Sequence, residues 1–373
     1  MRCRALRWTG LMFALGCALR LTATDYPPAR RGSDFDDYFG QKIQDPYRWM
    51  ENIDSPRTTR WIAAERAYTA SAFAEMPERD AVRHRLRELW NFPRYGLPKK
   101  RGGRVFYLRN DGRKNQSSLC VTDRPGAEAR VLVDPNSQAA DGTVAISDFA
   151  PTSDGNLVAY SLARSGSDWR EIHVLDVIGE KEVPDVIRRV KFSTTAWTAD
   201  IGFFYIRYPE AAKGDSLFEH LAGRQLCYHK LGTEPASDAV VFEIPEHPAW
   251  LFEETVSDDG RYLILTISQN SKIQKAIYFL DLGAPGSPRI DGPVVKLLNR
   301  FDAAYSFVGE RQGTFFVRTP WMHRVVRWWR SIPNLRSRRP GKPWYRRAGT
   351  LCRMPFIAGT RLPSGHGMTC KAA

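Results

Sequence analysis

The sequence predicts a mainly β chain, built from a repeated unit of short antiparallel strands that follows a helical segment. Three observations predict it. Strand-like runs begin just after a turn glycine at Gly103, Gly155, Gly202, Gly260 and Gly313, at intervals of 52, 47, 58 and 53 residues. The runs are rich in β-branched and aromatic residues, which suit a pleated, buried surface. Turns such as Ser153-Asp154-Gly155 and Asp258-Asp259-Gly260 supply a glycine for the φ > 0 position of a hairpin. Short strands repeating near 50 residues indicate propeller blades of four strands each, and the regular interval argues against a β-sandwich.

The elements follow in order. Asp54-Ser55-Pro56 predicts a helix start, with a capping residue and then a proline whose missing N–H is harmless in the first turn. Trp61, Ala64, Tyr68 and Ala72 share one face of that helix, which runs to about Phe73. Pro77 separates a second helix, in which Val82, Leu86 and Leu89 fall at i, i+4 and i+7, and Pro93 ends it. The post-glycine runs cover residues 104–108, 157–162, 203–206, 261–267 and 314–317. A second strand follows at 118–122, 171–175, 225–229 and 276–280, and a third at 130–133, 239–242 and 294–298. The fifth unit is expected to have its first strand and no more. A blade buries its faces only against neighbours, so four to five units read as an incomplete ring.

The two ends differ from this body. Arg2, Arg4 and Arg7 precede a short apolar run, the pattern of a secretory signal peptide over 1–23. Export to the periplasm or medium is therefore expected; a mis-assigned start ahead of a cytoplasmic protein is the alternative. No later stretch is long and apolar enough to span a membrane. Residues 320–373 hold 12 Lys and Arg and no acid, with Trp321, Trp328, Trp329 and Trp344 among them. That composition reads as an out-of-frame tail; a basic tail binding nucleic acid or lipid is the alternative.

The net charge of +14 comes from these ends. Residues 32–319 carry 37 basic and 40 acidic residues, so the body offers no nucleic-acid-binding balance. Hydrophobic residues at 43% and charged residues at 26% exclude a disordered polymer. Of six cysteines only Cys120 and Cys227 lie in the body, which is no disulfide framework. No metal spacing of His, Cys or carboxylate appears, and no cofactor is expected.

Peptide hydrolysis on an α/β-hydrolase needs a nucleophilic serine in a G-x-S-x-G elbow, then Asp and His. No serine in the sequence has glycine at both −2 and +2. None of the seven histidines sits in a hydrolase-like βα pattern; His366 lies in the basic tail, and His229 reads as structural. No catalytic residue is assigned.

A set of motifs resembles one family. Tyr38-Phe39-Gly40 and Asp45-Pro46-Tyr47-Arg48-Trp49-Met50-Glu51 look like the amino-terminal signature of prolyl oligopeptidases. Asn115-Gln116, Asp141-Gly142-Thr143, Ser165-Gly166-Ser167-Asp168-Trp169, Val190-Lys191-Phe192-Ser193 and Ala196-Trp197-Thr198 resemble the same family's propeller, in order. The resemblance runs from about Tyr26 to Thr319. It implies a two-domain serine endopeptidase in which a seven-bladed propeller admits short peptides to an α/β-hydrolase domain that cleaves after proline. It also implies that residues 26–100 pack on that hydrolase domain.

The family's triad lies beyond the resemblance, and none of it carries over. What carries over is the substrate cavity. Phe192 matches an aromatic of that cavity, with ordinary blade core as the alternative. Leu251 stands at an apolar cavity position. Ser268 stands where some members have an arginine on the substrate backbone, whose absence removes a charge-assisted hydrogen bond of about 1.5–3 kcal/mol. Trp169 reads as blade packing. The expected organisation is a signal peptide at 1–23, a helical amino-terminal segment at 24–100, truncated propeller blades at 101–319 and the tail at 320–373. The α/β-hydrolase domain is expected to be absent. The expected function is that of a truncated prolyl-oligopeptidase-like serine endopeptidase. It keeps the gating propeller and binds short proline-containing peptides but not nucleic acid or membrane. It lacks the triad and is inactive alone. A non-catalytic peptide- or protein-binding propeller is the alternative.

Overall fold

The computed structural model describes residues 26–124, 126–209, 223–284, 286–311, 313–319 and 327–331. The expected leader at 1–23 and most of the 320–373 tail lie outside them. The chain divides into two compact units, one ending at Phe92 and the other beginning at Pro93. Lys99–Arg101 therefore belongs to the first blade rather than to the helical segment.

In the first unit, β1 (Phe35–Tyr38) and β2 (Gln41–Gln44) form a hairpin through Phe39 and Gly40, both at positive φ. Arg48 ties the hairpin to the following turn through Asp36 at 2.6 Å and Asp45 at 3.0 Å. Helix α1 (Pro56–Ala74) begins as the sequence predicts: the Ser55 hydroxyl caps it by accepting from the Thr58 N–H, and Pro56 is its first residue. Trp61 sits edge-on to Trp49 at 6.1 Å. Helix α2 (Arg79–Trp90) carries the stripe of Val82, Leu86 and Leu89, each about half exposed.

The second unit is a succession of antiparallel sheets. Blade one holds β3 (Arg94–Tyr95), β4 (Lys99–Arg101), β5 (Arg104–Asn110), β6 (Ser118–Thr122) and β7 (Arg130–Val133). Blade two holds β8 (Val144–Pro151), β9 (Leu157–Arg164), β10 (Arg170–Asp176) and β11 (Lys181–Val190). Blade three holds β12 (Ala196–Thr198), β13 (Gly202–Arg207), β14 (Gln225–Lys230) and β15 (Ala239–Glu243). It joins blade two by a single pairing, Val190 with Arg207. Blade four holds β16 (Leu251–Val256), β17 (Tyr262–Ser268), β18 (Lys275–Asp281) and β19 (Val295–Leu298). Blade five holds β20 (Ser306–Arg311), β21 (Thr314–Thr319) and β22 (Arg327–Ser331).

Two expectations are corrected here. The post-glycine runs are the second strand of each blade, because a polar or alternating strand precedes each glycine. Blade five accordingly has three described strands rather than one, and β22 pairs in register with β21 beyond residue 319. Every described strand pairing is antiparallel, so the described residues contain no α/β-hydrolase sheet.

The reason for the long apolar runs is burial on both faces. In β17, Leu263, Leu265 and Ile267 pack on blade three, while Tyr262 and Ile264 pack on blade five. In β13, Phe203 and Tyr205 face blade two and Phe204 and Ile206 face blade four. Four such interblade cores hold the five blades in sequence. Each large apolar side chain buried there contributes about 1.5–3 kcal/mol. The first strands of the blades converge: Lys99, Ala150, Ala196 and Thr255 line one cavity of about 680 Å³. Gly102, at φ +53, lets the first blade's turn approach the second's, since a Cβ there would collide with the Asp154 carbonyl.

A buried polar tie joins blades two and three. His229 is fully buried, with Nδ1 2.9 Å from Asp238 and Nε2 3.3 Å from Asp185. Tyr205 donates to Asp238 at 2.9 Å, and the Gly232 N–H donates to Asp185 at 2.6 Å. Burial pushes the imidazole's pKa down, but the two carboxylates outweigh it and the pKa ends raised. Both ring nitrogens then donate, as an imidazolium. His229→Gln leaves buried carboxylates without their cation and is expected to destabilise the chain by about 3–5 kcal/mol in urea melts near pH 6. The loss should be full below the imidazole's ordinary pKa and shrink as pH rises through the raised one. A loss unchanged at pH 9 would refute the charged assignment.

Candidate functional site

Because neighbouring strands are antiparallel, the ends of β11, β13, β15 and β17 open on one face of the blades, with the starts of β10, β12, β14 and β16. The three sequence-predicted positions all fall there. Phe192 lies in the link from blade two to blade three, and Leu251 opens β16. Ser268 ends β17 and is paired with Leu251. Phe192 is 48% exposed and Leu251 39%, so neither belongs to an interblade core. Ser268 is half-buried.

Aromatic and basic side chains gather around Phe192. Lys191 Nζ lies 5.0 Å from the Phe192 ring centre and 5.3 Å from that of Trp169, with Asp168 3.7 Å away. Trp169 meets Tyr208 edge-on at 5.9 Å and packs against the core of blades three and four, as expected of a packing residue. The Arg189 guanidinium also lies over Trp169, 5.5 Å from a ring centre, and donates to the Tyr208 and Pro209 carbonyls.

Two residues of this region escaped the sequence reading. Arg224 is only 5% exposed; its Nε donates to Tyr208 Oη at 3.0 Å and its Nη1 to the Phe252 carbonyl at 2.7 Å, joining blade three to blade four. It borders a cavity of about 340 Å³ whose wall includes Trp250 and His247, stacked at 4.0 Å. The second is Glu254, 3% exposed on β16. Its Oε1 accepts from the Thr194 N–H and hydroxyl, each at 3.1 Å, and lies 3.2 Å from Ser193 Oγ. Burial raises its pKa to about 8, and the hydrogen bonds and the Arg224 charge only partly oppose that. Nothing local marks either residue, since their partners lie 16 to 61 positions away.

No hydrolytic centre accompanies this face among the described residues. Burial raises the thiols of Cys120 and Cys227, the latter to about 11, so neither is a thiolate at neutral pH. No three His, Cys, Asp or Glu side chains gather as a metal site among the described residues.

Comparison with known proteins agrees with this geometry. The family model described as "Prolyl oligopeptidase, N-terminal beta-propeller domain" matches residues 27–327. The chain is 33% identical over 270 residues to a prolyl endopeptidase of Elizabethkingia meningoseptica, covering 72% of this chain and 38% of that protein. It is 29% identical over 307 residues to the prolyl endopeptidase of Elizabethkingia miricola, covering 82% and 42%. A structure solved in a study of two prolyl endopeptidases superposes with a TM-score of 0.56 at 33% identity, covering 79% of this chain and 42% of that one. Prolyl oligopeptidase B of Galerina marginata, bound to a 35mer hydrolysis and macrocyclization substrate, gives 0.65 at 25% identity, covering 79% and 44%. This chain thus spans about two fifths of the length of the relatives it matches. With interleaved blades, the motif-bearing links on one face and a match across both units, the chain belongs to the prolyl oligopeptidase family through its N-terminal β-propeller domain.

Proposed function

We propose that this chain supplies the substrate-admitting propeller of a prolyl-oligopeptidase-like serine endopeptidase, binding short proline-containing peptides at the face that carries Phe192, Leu251 and Ser268. The observation that carries the reading is the exposure of Phe192 and Leu251 on one face, with Lys191 and Trp169 beside Phe192, an apolar surface with a cation at its edge suited to a proline ring and a peptide backbone. The half-exposed stripe of α2 supports it, as a surface for a hydrolase domain. Cleavage would need that domain's nucleophile, since no serine of the sequence sits in a G-x-S-x-G elbow. The basic start and short apolar run at residues 1–23 support a periplasmic or secreted location, with a cytoplasmic protein behind a mis-assigned start as the alternative.

The test is calorimetric titration of the 373-residue chain with a short Gly-Pro peptide, alongside a Gly-Pro reporter amide. Binding without turnover is expected, with affinity falling about tenfold in Phe192→Ala, as for the loss of one aromatic contact. Turnover abolished by a serine-directed phosphonate would overturn the assignment of the chemistry to another domain. Equal affinity for peptides with and without proline would favour a non-catalytic peptide-binding propeller.

A further inference from the structure

The link that carries Phe192 is held in an unfavourable backbone conformation. Arg189 at φ +60 and Phe192 at φ +50 both occupy the left-handed region, which bulky residues rarely adopt. Each such residue costs on the order of 1–3 kcal/mol and persists only where surrounding contacts over-determine it. On the blade-two side, Arg189 is fixed by its hydrogen bonds to the Tyr208 and Pro209 carbonyls. Immediately after Phe192, the contacts converge on one side chain from another blade. Glu254 Oε1 accepts from both donors of Thr194, and Ser193 Oγ beside it accepts from the Ile206 N–H at 2.8 Å.

We propose that Glu254 is a positioning residue: from blade four it clamps residues 193–194 of the link and thereby holds Phe192 exposed on the binding face. The clamp needs a carbonyl-type acceptor and no charge. A neutral acid offers that acceptor, and so does the amide of glutamine. A hydrocarbon of similar size does not, and it would take the protein acceptor away from both Thr194 donors. Leu251 lies three residues before Glu254 on the same strand, so the strand that presents Leu251 also fixes Phe192. The consequence for peptide affinity rests on the function proposed above; the clamp itself does not.

The experiment is limited digestion of the full chain with chymotrypsin, following cleavage after Phe192 by mass spectrometry. Cleavage requires local opening of the link, and each lost hydrogen bond lowers the cost of opening. Glu254→Ala is expected to accelerate this cut about tenfold and Thr194→Val by a few fold, while Glu254→Gln stays within about twofold of the parent. Cuts elsewhere report global unfolding. If Glu254→Ala accelerates all of them, Thr194→Val decides, because its side chain keeps its volume. Peptide titration then reads the functional arm: Glu254→Ala combined with Phe192→Ala should bind no more weakly than Phe192→Ala alone. Parent-like cleavage in both Glu254→Ala and Thr194→Val would overturn the clamp, as would a Glu254→Gln rate matching that of Glu254→Ala. An additive double variant would overturn action through Phe192. A parent chain that binds no peptide but shows clamp-dependent cleavage would overturn the proposed function and leave the clamp supported.

Discussion

Between pH 5 and pH 8 the folded chain is expected to lose stability steadily, and Glu254→Gln is expected to remove most of that loss. The cause is one carboxyl group. Burial on β16 raises the Glu254 pKa from an ordinary 4.5 to about 8, so the folded protein holds a proton that the unfolded chain releases. A raised pKa means stability fully present below the unfolded value and lost as pH climbs to the folded one. Within that window each pH unit removes about 1.4 kcal/mol, which accumulates to roughly 5 kcal/mol. That is a large share of an ordinary folding free energy of about 5–15 kcal/mol. His229 acts in the same direction above its ordinary pKa, because its own is also raised. Urea unfolding at pH 5, 6, 7 and 8 measures the slope. A parent chain whose midpoint is flat across this range, or a Glu254→Gln chain with the parent's slope, would refute the assignment.

Phe315→Ala is the substitution expected to do the most damage to packing. Phe315 is buried between blades four and five, edge-on to Tyr262 at 4.9 Å, Phe279 at 5.1 Å and Phe307 at 5.9 Å. The core that joins these two blades is built around it. Truncation leaves a cavity and removes three aromatic contacts, for a loss of about 3–5 kcal/mol. The loss should be local first, with amides of β20 and β21 exchanging faster than those of β9 or β13. Val308→Ala, at an exposed position on the same blade, should change the urea midpoint by less than the equivalent of about 0.5 kcal/mol. Equal exchange across all blades in Phe315→Ala would show that blade five does not open separately.

Some of this was legible in the residues. The runs after Gly155 and Gly260 are strands because both of their faces are buried, which needs a continuous apolar sequence rather than an alternating one. The start of α1 is equally local: Ser55 caps and Pro56 leads, and the structure repeats both. The strand before each turn glycine was not legible. β16 reads Leu-Phe-Glu-Glu-Thr-Val and alternates exposed with buried positions, and β12 is only three residues long. A search for apolar runs passes over such segments, which is why the run at 314–317 read as the first strand of its blade and proved to lie in the second, Thr314–Thr319.

The candidate site divides in the same way. Phe192, Leu251 and Ser268 came from motif resemblance, and spacing alone singles out none of them. Arg224 and Glu254 carried no signal at all, because a buried charge takes its meaning from partners far along the chain. By itself the sequence determined the repeat, the hairpin turns, the helix cap and the two-faced strands, all of which follow from short-range sterics and hydrophobic periodicity. Only the tertiary structure decided which strand lies innermost, which carboxyl stays neutral, which histidine is charged and which link is clamped. Those depend on desolvation and on hydrogen bonds between blades, and neither exists until the sheets have packed.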